Sequence, residues 1–389
     1  MKKYLFFALA AVGMLSSCSS DDTISSGSAP VDDDSLVPIR IGLGQTVTRG
    51  TGTVGGFDNA TDNVWNQQKI NVFMLYKDSM EFALFEGAYL YNNQEFDTPN
   101  ALQTGLATPS DKSIKYYPPQ GKYDFWGYRL NDATILKGPE LGKDSLTIEF
   151  KIDGSQDVML AKAVPSAADT AKLVAAGNAA ADRAFSSYAA RHDVQPNLVF
   201  KHHLTRLTFE VIPGGAGAVS ATSPVVIDSI KVIAPNHGTM VVASTGDIRG
   251  EKQSIIWTEE KDSLILKQRS DGSTPNDPLI DFESVQLLGK TVGQPVSVGE
   301  ALLVAPDENY DLVIFLHQNL PTQIGSTSTR TVMYDYKDVI QRVGGFNKGT
   351  SYKVQITLWG LTDIQITTTL TNWEDGGDAI DLRPEDQEL

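Results

Sequence analysis

The residue patterns that could carry catalysis or hold a cofactor are few, and each lacks a necessary part. Gly50-Thr51-Gly52-Thr53-Val54-Gly55 has the spacing of a dinucleotide-binding loop. That chemistry needs a helix opening at the loop, so that its first amides can hold a pyrophosphate. Phe57-Asp58-Asn59-Ala60-Thr61-Asp62 follows instead, with no amphipathic pattern, and a plain loop is expected. Gly289-Lys290-Thr291 has the ending of a phosphate loop, but Ser284 stands where the first glycine is required. His202 and His203 are adjacent. Neighbours on a strand point to opposite faces, so one is expected in the core and one in solvent, poorly placed to share a metal. His192, His237 and His317 are scattered, and GxSxG, HExxH and calcium-loop patterns are missing. Carboxylates are plentiful, yet no glycosidase pair stands out. Trp65, Trp126, Trp257, Trp359 and Trp373 could stack on sugars, but each reads first as core packing. No catalytic residue, metal ligand or cofactor is expected.

The one thiol is different. Lys2 and Lys3 precede an apolar run from Tyr4 to Leu15, and Leu15-Ser16-Ser17-Cys18 closes it. This is the order of a secretory signal peptide, residues 1–17, and the run is shorter than the roughly 20 apolar residues of a spanning helix. The Leu-Ser-Ser-Cys ending resembles the lipobox of bacterial lipoproteins, which implies an acylated Cys18 as the mature first residue. An exported chain with a single cysteine has no other evident use for it. Ser19-Ser20-Asp21-Asp22 follows, and its acidic pair resembles the surface-export signal of gut and oral Gram-negative anaerobes. Residues 18–36 are rich in Ser, Asp, Gly and Pro and read as a tether between lipid and fold.

The elements that remain must be built without disulfides. The formal charge is −16, and falls to −18 once Lys2 and Lys3 leave with the leader. Such a chain repels phosphate backbones, so nucleic acid is not expected as a partner. With 41% hydrophobic residues it can bury real cores, and the length suits about two domains. The dominant periodicity is two. Val37, Ile39, Ile41 and Leu43 alternate with Pro38, Arg40, Gly42 and Gly44, and the same holds around Ile148–Ile152, Leu207–Val211 and Val354–Leu358. Each run predicts a strand with one apolar face, as in antiparallel sheets. Val72–Tyr76 and Leu312–Leu316 are apolar throughout and suit central strands buried on both faces. Gly and Pro punctuate the runs, a spacing of strands and turns that indicates β-sandwiches. The alanine-rich stretch near 167–190 predicts one or two helices decorating a sandwich, interrupted at Gly177-Asn178. Strand character resumes at Gln195-Pro196, which sets a domain line: 37–195 and 196–389.

Several segments together resemble the fimbrillin superfamily, the lipoprotein-derived pilins of gut and oral Gram-negative anaerobes. Pro38-Ile39-Arg40-Ile41 followed by Thr48-Arg49-Gly50 is similar to its first strand and processing site. Val64-Trp65 before Ile70-Asn71-Val72-Phe73, then Tyr123-Asp124-Phe125-Trp126-Gly127-Tyr128 and Asp157-Val158-Met159-Leu160-Ala161, follow in family order. Phe200-Lys201-His202-His203-Leu204-Thr205-Arg206-Leu207 looks like the opening of the second domain, and Tyr352-Lys353-Val354 and Asn372-Trp373 complete the set. The resemblance implies two transthyretin-like β-sandwich domains. It implies a lipid-anchored precursor at the outer membrane, cut by an arginine-specific protease between Arg49 and Gly50. The first strand, carrying Val37, Ile39, Ile41 and Leu43, then leaves, and a strand of a neighbouring fimbrial subunit takes its place. The candidate donor lies in 376–389, where Ile380 and Leu382 alternate with Asp381 and Arg383. The function so implied is a structural subunit of adhesive fimbriae with a host or bacterial surface receptor, and not an enzyme. A monomeric glycan-binding surface lipoprotein is the alternative, and a secreted hydrolase with an unmarked carboxylate site a third.

Overall fold

The computed structural model describes residues 36–44, 65–102, 104–177, 185–247, 251–270, 279–323, 327–361 and 363–371. In chain order its main elements are β1 (Ile41–Leu43), β2 (Lys69–Tyr76), β3 (Gln94–Asp97), β4 (Gly105–Pro109), β5 (Tyr123–Arg129), β6 (Thr134–Leu141), β7 (Ser145–Lys151) and β8 (Met159–Lys162). Two helices follow, α1 (Ala167–Ala175) and α2 (Ser187–Arg191), then the short β9 (Asn197–Leu198) and β10 (Lys201–His202). The rest of the chain forms β11 (Thr205–Pro213), β12 (Val225–Pro235), β13 (His237–Ser244), β14 (Ser254–Trp257) and β15 (Lys261–Ile265). It ends on β16 (Val296–Val304), β17 (Asp307–Pro321), β18 (Thr329–Phe346), β19 (Thr350–Leu358) and β20 (Ile364–Thr371). The fold is all-β, with two sandwiches and a short helical insertion.

Eight strands make the first large sheet, in the order β9-β1-β4-β3-β2-β5-β8-β10. Its two edges, Asn197–Leu198 and Lys201–His202, are separated in the chain by Val199 and Phe200 alone. A flat sheet of this width would hold its edges about 30 Å apart. The connecting residues reach about 10 Å. The sheet must therefore curl almost closed around what it encloses. Gly127 in β5 permits this, because a Cβ there would stand 2.9 Å from the Phe200 ring and 3.1 Å from Leu198.

The central strands are apolar on both faces because two cores lie on either side of them. In β2, Ile70, Val72 and Met74 belong to the core that also holds Ile41, Leu43, Phe125, Leu198 and Phe200. Phe73 and Leu75 belong to a second core, with Trp126, Tyr128, Ile148, Phe150 and Met240, against the sheet β6-β7-β13-β14. The expectation for Val72–Tyr76 holds for this reason. Leu312–Leu316 in β17 behaves differently: Leu312, Ile314 and Leu316 are buried, while Val313 and Phe315 are half-buried on the outer face. There the Lys231 ammonium lies over the Phe315 ring at 4.5 Å and covers part of its apolar surface.

The helices close one side of the first core. Ser166 caps α1 through a reciprocal box with Asp169, and Leu173 on α1 and Phe185 before α2 are buried in that core. The second sandwich packs β16-β11-β19-β20 against β15-β12-β17-β18 around Leu207, Phe209, Val211, Val354, Ile356 and Leu358. Among the described residues two pairings are parallel rather than antiparallel. β9 runs parallel to β1, and β11 runs parallel to β19 over the full span from Thr205↔Thr350 to Pro213↔Leu358.

A cut at Gln195-Pro196 does not separate the sheets. β12 and β13 are one extended run interrupted at Asn236, and β14 and β15 return along it. Lys231–Pro235 pair with Lys261–Ile265 in the second sandwich, and Gly238–Val241 pair with Ser254–Trp257 in the first. A single long hairpin thus contributes to both sandwiches, and 237–257, which the sequence places in the second domain, completes a sheet with β7. Asn236 holds the crossing point: its carbonyl accepts from Ile152 N at 2.8 Å and its Nδ2 donates to Asp262 at 3.0 Å.

Candidate functional site

The first strand sits inside the curled sheet rather than on its rim. Val37–Pro38 pairs antiparallel with Tyr116–Tyr117, and β1 then lies between β4, antiparallel, and β9, parallel. The pairing order follows the sequence pattern. Ile39, Ile41 and Leu43 are buried at 7%, 1% and 2% exposure, Val37 is half-buried and Arg40 faces solvent. Ile39 N donates to Lys115 O at 2.8 Å, Gly42 N to Pro196 O at 2.8 Å and Gly44 N to Leu198 O at 3.0 Å. A Cβ on Gly44 would stand 2.6 Å from Val199 Cγ2, so any side chain there would force Val199 to shift.

Between the two paired stretches a side chain supplies part of the bonding that a strand ladder would give. Gln195 Nε2 donates to Pro38 O at 3.0 Å, and Gln195 Oε1 accepts from Arg40 N at 3.2 Å. Pro196 has no N–H of its own to offer, so the amide of the preceding glutamine supplies the donor. Sequence reading used Gln195-Pro196 as a boundary and missed this clamp. A glutamine just before a proline at a strand start was the available signal.

This geometry defines what the strand is worth. Burying Ile39, Ile41 and Leu43 contributes about 1.5–3 kcal/mol each. Taking the strand out would turn β4 and β9 into open edges and leave the carbonyls of Lys115, Pro196 and Leu198 without their donors. The result is an apolar slot flanked by two strand edges.

The other residues singled out from sequence fall elsewhere. Cys18, Arg49, Gly50, Ile380, Leu382 and Trp373 lie outside the described residues. Trp65 and Trp126 are core residues, Trp65 edge-on to Phe200 at 5.5 Å. Trp257 is half-buried against Phe150, and Trp359 is 37% exposed. The histidine pair departs from expectation, because both members are buried. The alternation rule fails because β10 ends at His202 and the chain turns at His203 into the second sandwich. His202 Nδ1 lies 2.9 Å from Asp157 Oδ1, and Arg129 reaches the same carboxylate at 3.6 Å while donating to Gln68 and Asn131. Burial, with Lys348 and Lys201 adding repulsion, pushes His203 down to about 3 and keeps it neutral. Among the described residues no group of three or more His, Cys, Asp or Glu side chains is arranged to hold a metal ion.

A curled sheet sharing two cores, with a second sandwich joined to it by a common hairpin, describes an all-β protein. The fimbrillin-like family model matches residues 59–373, and the chain belongs to that family. No curated protein matches the sequence. Among solved structures, a fimbrial protein of Bacteroides vulgatus is 12% identical, with 87% of this chain and 99% of that one covered and a TM-score of 0.49. A proposed cell adhesion protein of Bacteroides uniformis is 14% identical, with 87% and 98% covered and a TM-score of 0.44. The fimbrial anchor protein Mfa2 of Porphyromonas gingivalis is 9% identical, with 86% and 99% covered and a TM-score of 0.32. The family is one of fimbrial structural proteins, which supports a fimbrial subunit role at the cell surface. No helix among the described residues is long and apolar enough to cross a membrane.

Proposed function

We propose that the chain is a structural subunit of adhesive fimbriae that is exported as a lipoprotein anchored through Cys18, cut after Arg49 and polymerised by strand exchange. The observation that carries this reading is the position of the first strand. Ile39, Ile41 and Leu43 fill one core, and among the described residues the strand is held by β4 and β9, by the pairing with Tyr116–Tyr117 and by the Gln195 clamp. Arg49 stands five residues beyond Gly44 in a run of Thr, Gly and Val, so a cut there severs the strand's covalent link to the rest of the chain without cutting any element among the described residues. The vacated slot is unstable unless another strand fills it. Segment 376–389, with Ile380 and Leu382 two residues apart, offers a neighbouring subunit's strand of the right periodicity. The partners are then other subunits, an arginine-specific protease, the outer membrane through lipid before processing, and a surface receptor for the assembled fimbrium. The burial of Trp65 and Trp126 removes two of the sugar platforms that the glycan-binding alternative would use.

Treating the purified chain with an arginine-specific protease tests the proposal. Wild type should yield oligomers whose subunits begin at Gly50, while Arg49→Ala should stay monomeric. Subunits recovered from cell-surface fimbriae that still begin at Cys18 would overturn the processing step. Clean cleavage at Arg49 that leaves the first strand bound and the chain monomeric would overturn strand exchange.

A further inference from the structure

The slot of the first strand opens at one end onto a basic cleft. The cleft has a volume of about 660 Å³, and Lys162, Lys201, Lys252 and Lys348 line it together with His203. Four ammonium groups around one cavity stand out in a chain of net charge −16. Two of them are held by the protein itself: Lys348 pairs with Glu251, and Lys162 reaches Asp124 at 3.3 Å while lying over the Trp126 ring at 4.1 Å. Lys201 and Lys252 are exposed and have no ion-pair partner among the described residues. The local field is positive enough to be felt by neighbours. Burial first, then the charge of Lys252 among others, lowers Lys162, and Lys348 and Lys201 help depress His203. An arriving carboxylate would relieve that repulsion.

The cleft and the slot share a wall. Asn197 and Val199 line the cleft. Asn197 is also the register partner of Gly42, and Val199 Cγ2 is the atom that a side chain at Gly44 would strike. Because β1 and β9 run parallel, the strand from Gly42 to Gly44 points in the direction in which β9 continues through Val199 toward Lys201. A donor strand that takes over this slot in the same direction must send its following residues the same way. In segment 374–389 the apolar pair Ile380 and Leu382 is followed by Arg383-Pro384 and then Glu385, Asp386 and Glu388.

We propose that the lysine cleft is the docking site for the acidic residues Glu385, Asp386 and Glu388 of a second copy of this chain, received as its strand enters the slot. The inference rests on the strand-exchange reading and adds to it an electrostatic latch. The cleft offers a like-charged subunit a surface of reversed sign, which speeds encounter and fixes the direction of the incoming strand. Apolar anchors would supply most of the hold and the latch the choice of partner end.

The test has two arms. In the first, a labelled peptide of residues 383–389, which lacks the anchors Ile380 and Leu382, is titrated into the full unprocessed chain and followed by fluorescence anisotropy. Binding should weaken as salt rises and should drop at least about tenfold in the Lys201→Glu/Lys252→Glu variant. Binding that ignores either change overturns the proposal, as does tighter binding of a peptide of residues 372–379, the acidic flank on the other side of the anchors. Equal affinity for a glutamate peptide of the same net charge would make the cleft a general acidic-peptide site and would also overturn the assignment. In the second arm, protease-trimmed chains are allowed to assemble. Lys201→Glu/Lys252→Glu and Glu385→Lys/Asp386→Lys should each slow assembly several-fold, and a mixture in which one variant's tail meets the other's cleft should recover it. Loss without recovery overturns the latch. Failure of wild type itself to assemble would count against strand exchange, while the peptide arm still decides on the cleft.

Discussion

Ile41→Ala is the sharpest probe of the slot. Ile41 is 1% exposed in the first core, and truncating a buried isoleucine to alanine costs about 2–5 kcal/mol through lost transfer energy and the cavity left behind. The loss falls on a short strand whose backbone is held to β9 through Gly42 N and Gly44 N. Local release of the strand should therefore become easier by the full amount, a factor of about 30 at the lower bound. Hydrogen exchange reads this directly, because Gly42 and Gly44 exchange when the strand opens. In Ile41→Ala their protection should fall at least about 30-fold, while Val354 and Ile356 in β19 keep theirs. Arg40→Ala, which alters an exposed side chain and leaves the backbone bonds to Gln195 in place, should change neither set. Equal loss of protection in both sandwiches would mean that the strand opens only with the whole molecule, and the idea of a separable first strand would fail. Unchanged protection at Gly42 and Gly44 would refute the burial argument itself.

Arg129→Met removes the guanidinium that faces Asp157 in the interior, while His202 still reaches that carboxylate. The loss should be about 3–5 kcal/mol in urea denaturation, and Arg129→Met/Asp157→Asn should recover part of it; a loss below about 1 kcal/mol would show that the pair is not needed. His203 gives a pH dependence of defined sign. Its folded value, about 3, lies below the unfolded value near 6.5, so the unfolded chain binds the extra proton first. This contribution is fully present above about pH 6.5 and is lost as pH falls from there toward 3. Urea midpoints of His203→Gln measured across that range should fall less steeply than those of wild type, and parallel curves would refute the assignment.

The faces of the strands were legible in the sequence because a two-residue period fixes which side chains share a surface. Ile148 and Phe150, Leu207 to Val211 and Val354 to Leu358 all point into cores as their alternation requires. The helix over 167–175 was legible from alanine content, while its Ser166–Asp169 cap became visible only in the structure. Period two says nothing about which strand lies beside which, and there the tertiary structure decided. That β1 would run parallel to β9, that Val199 and Phe200 would bridge the two edges of a sheet, and that 225–265 would form one hairpin serving both sandwiches are matters of pairing between distant residues. The same holds for the buried histidine pair, the Gln195 clamp and the gathering of Lys162, Lys201, Lys252 and Lys348 around one cleft. Alternation is set by the covalent geometry of each strand, whereas register and neighbourhood are set by how the apolar faces of the whole chain are buried together.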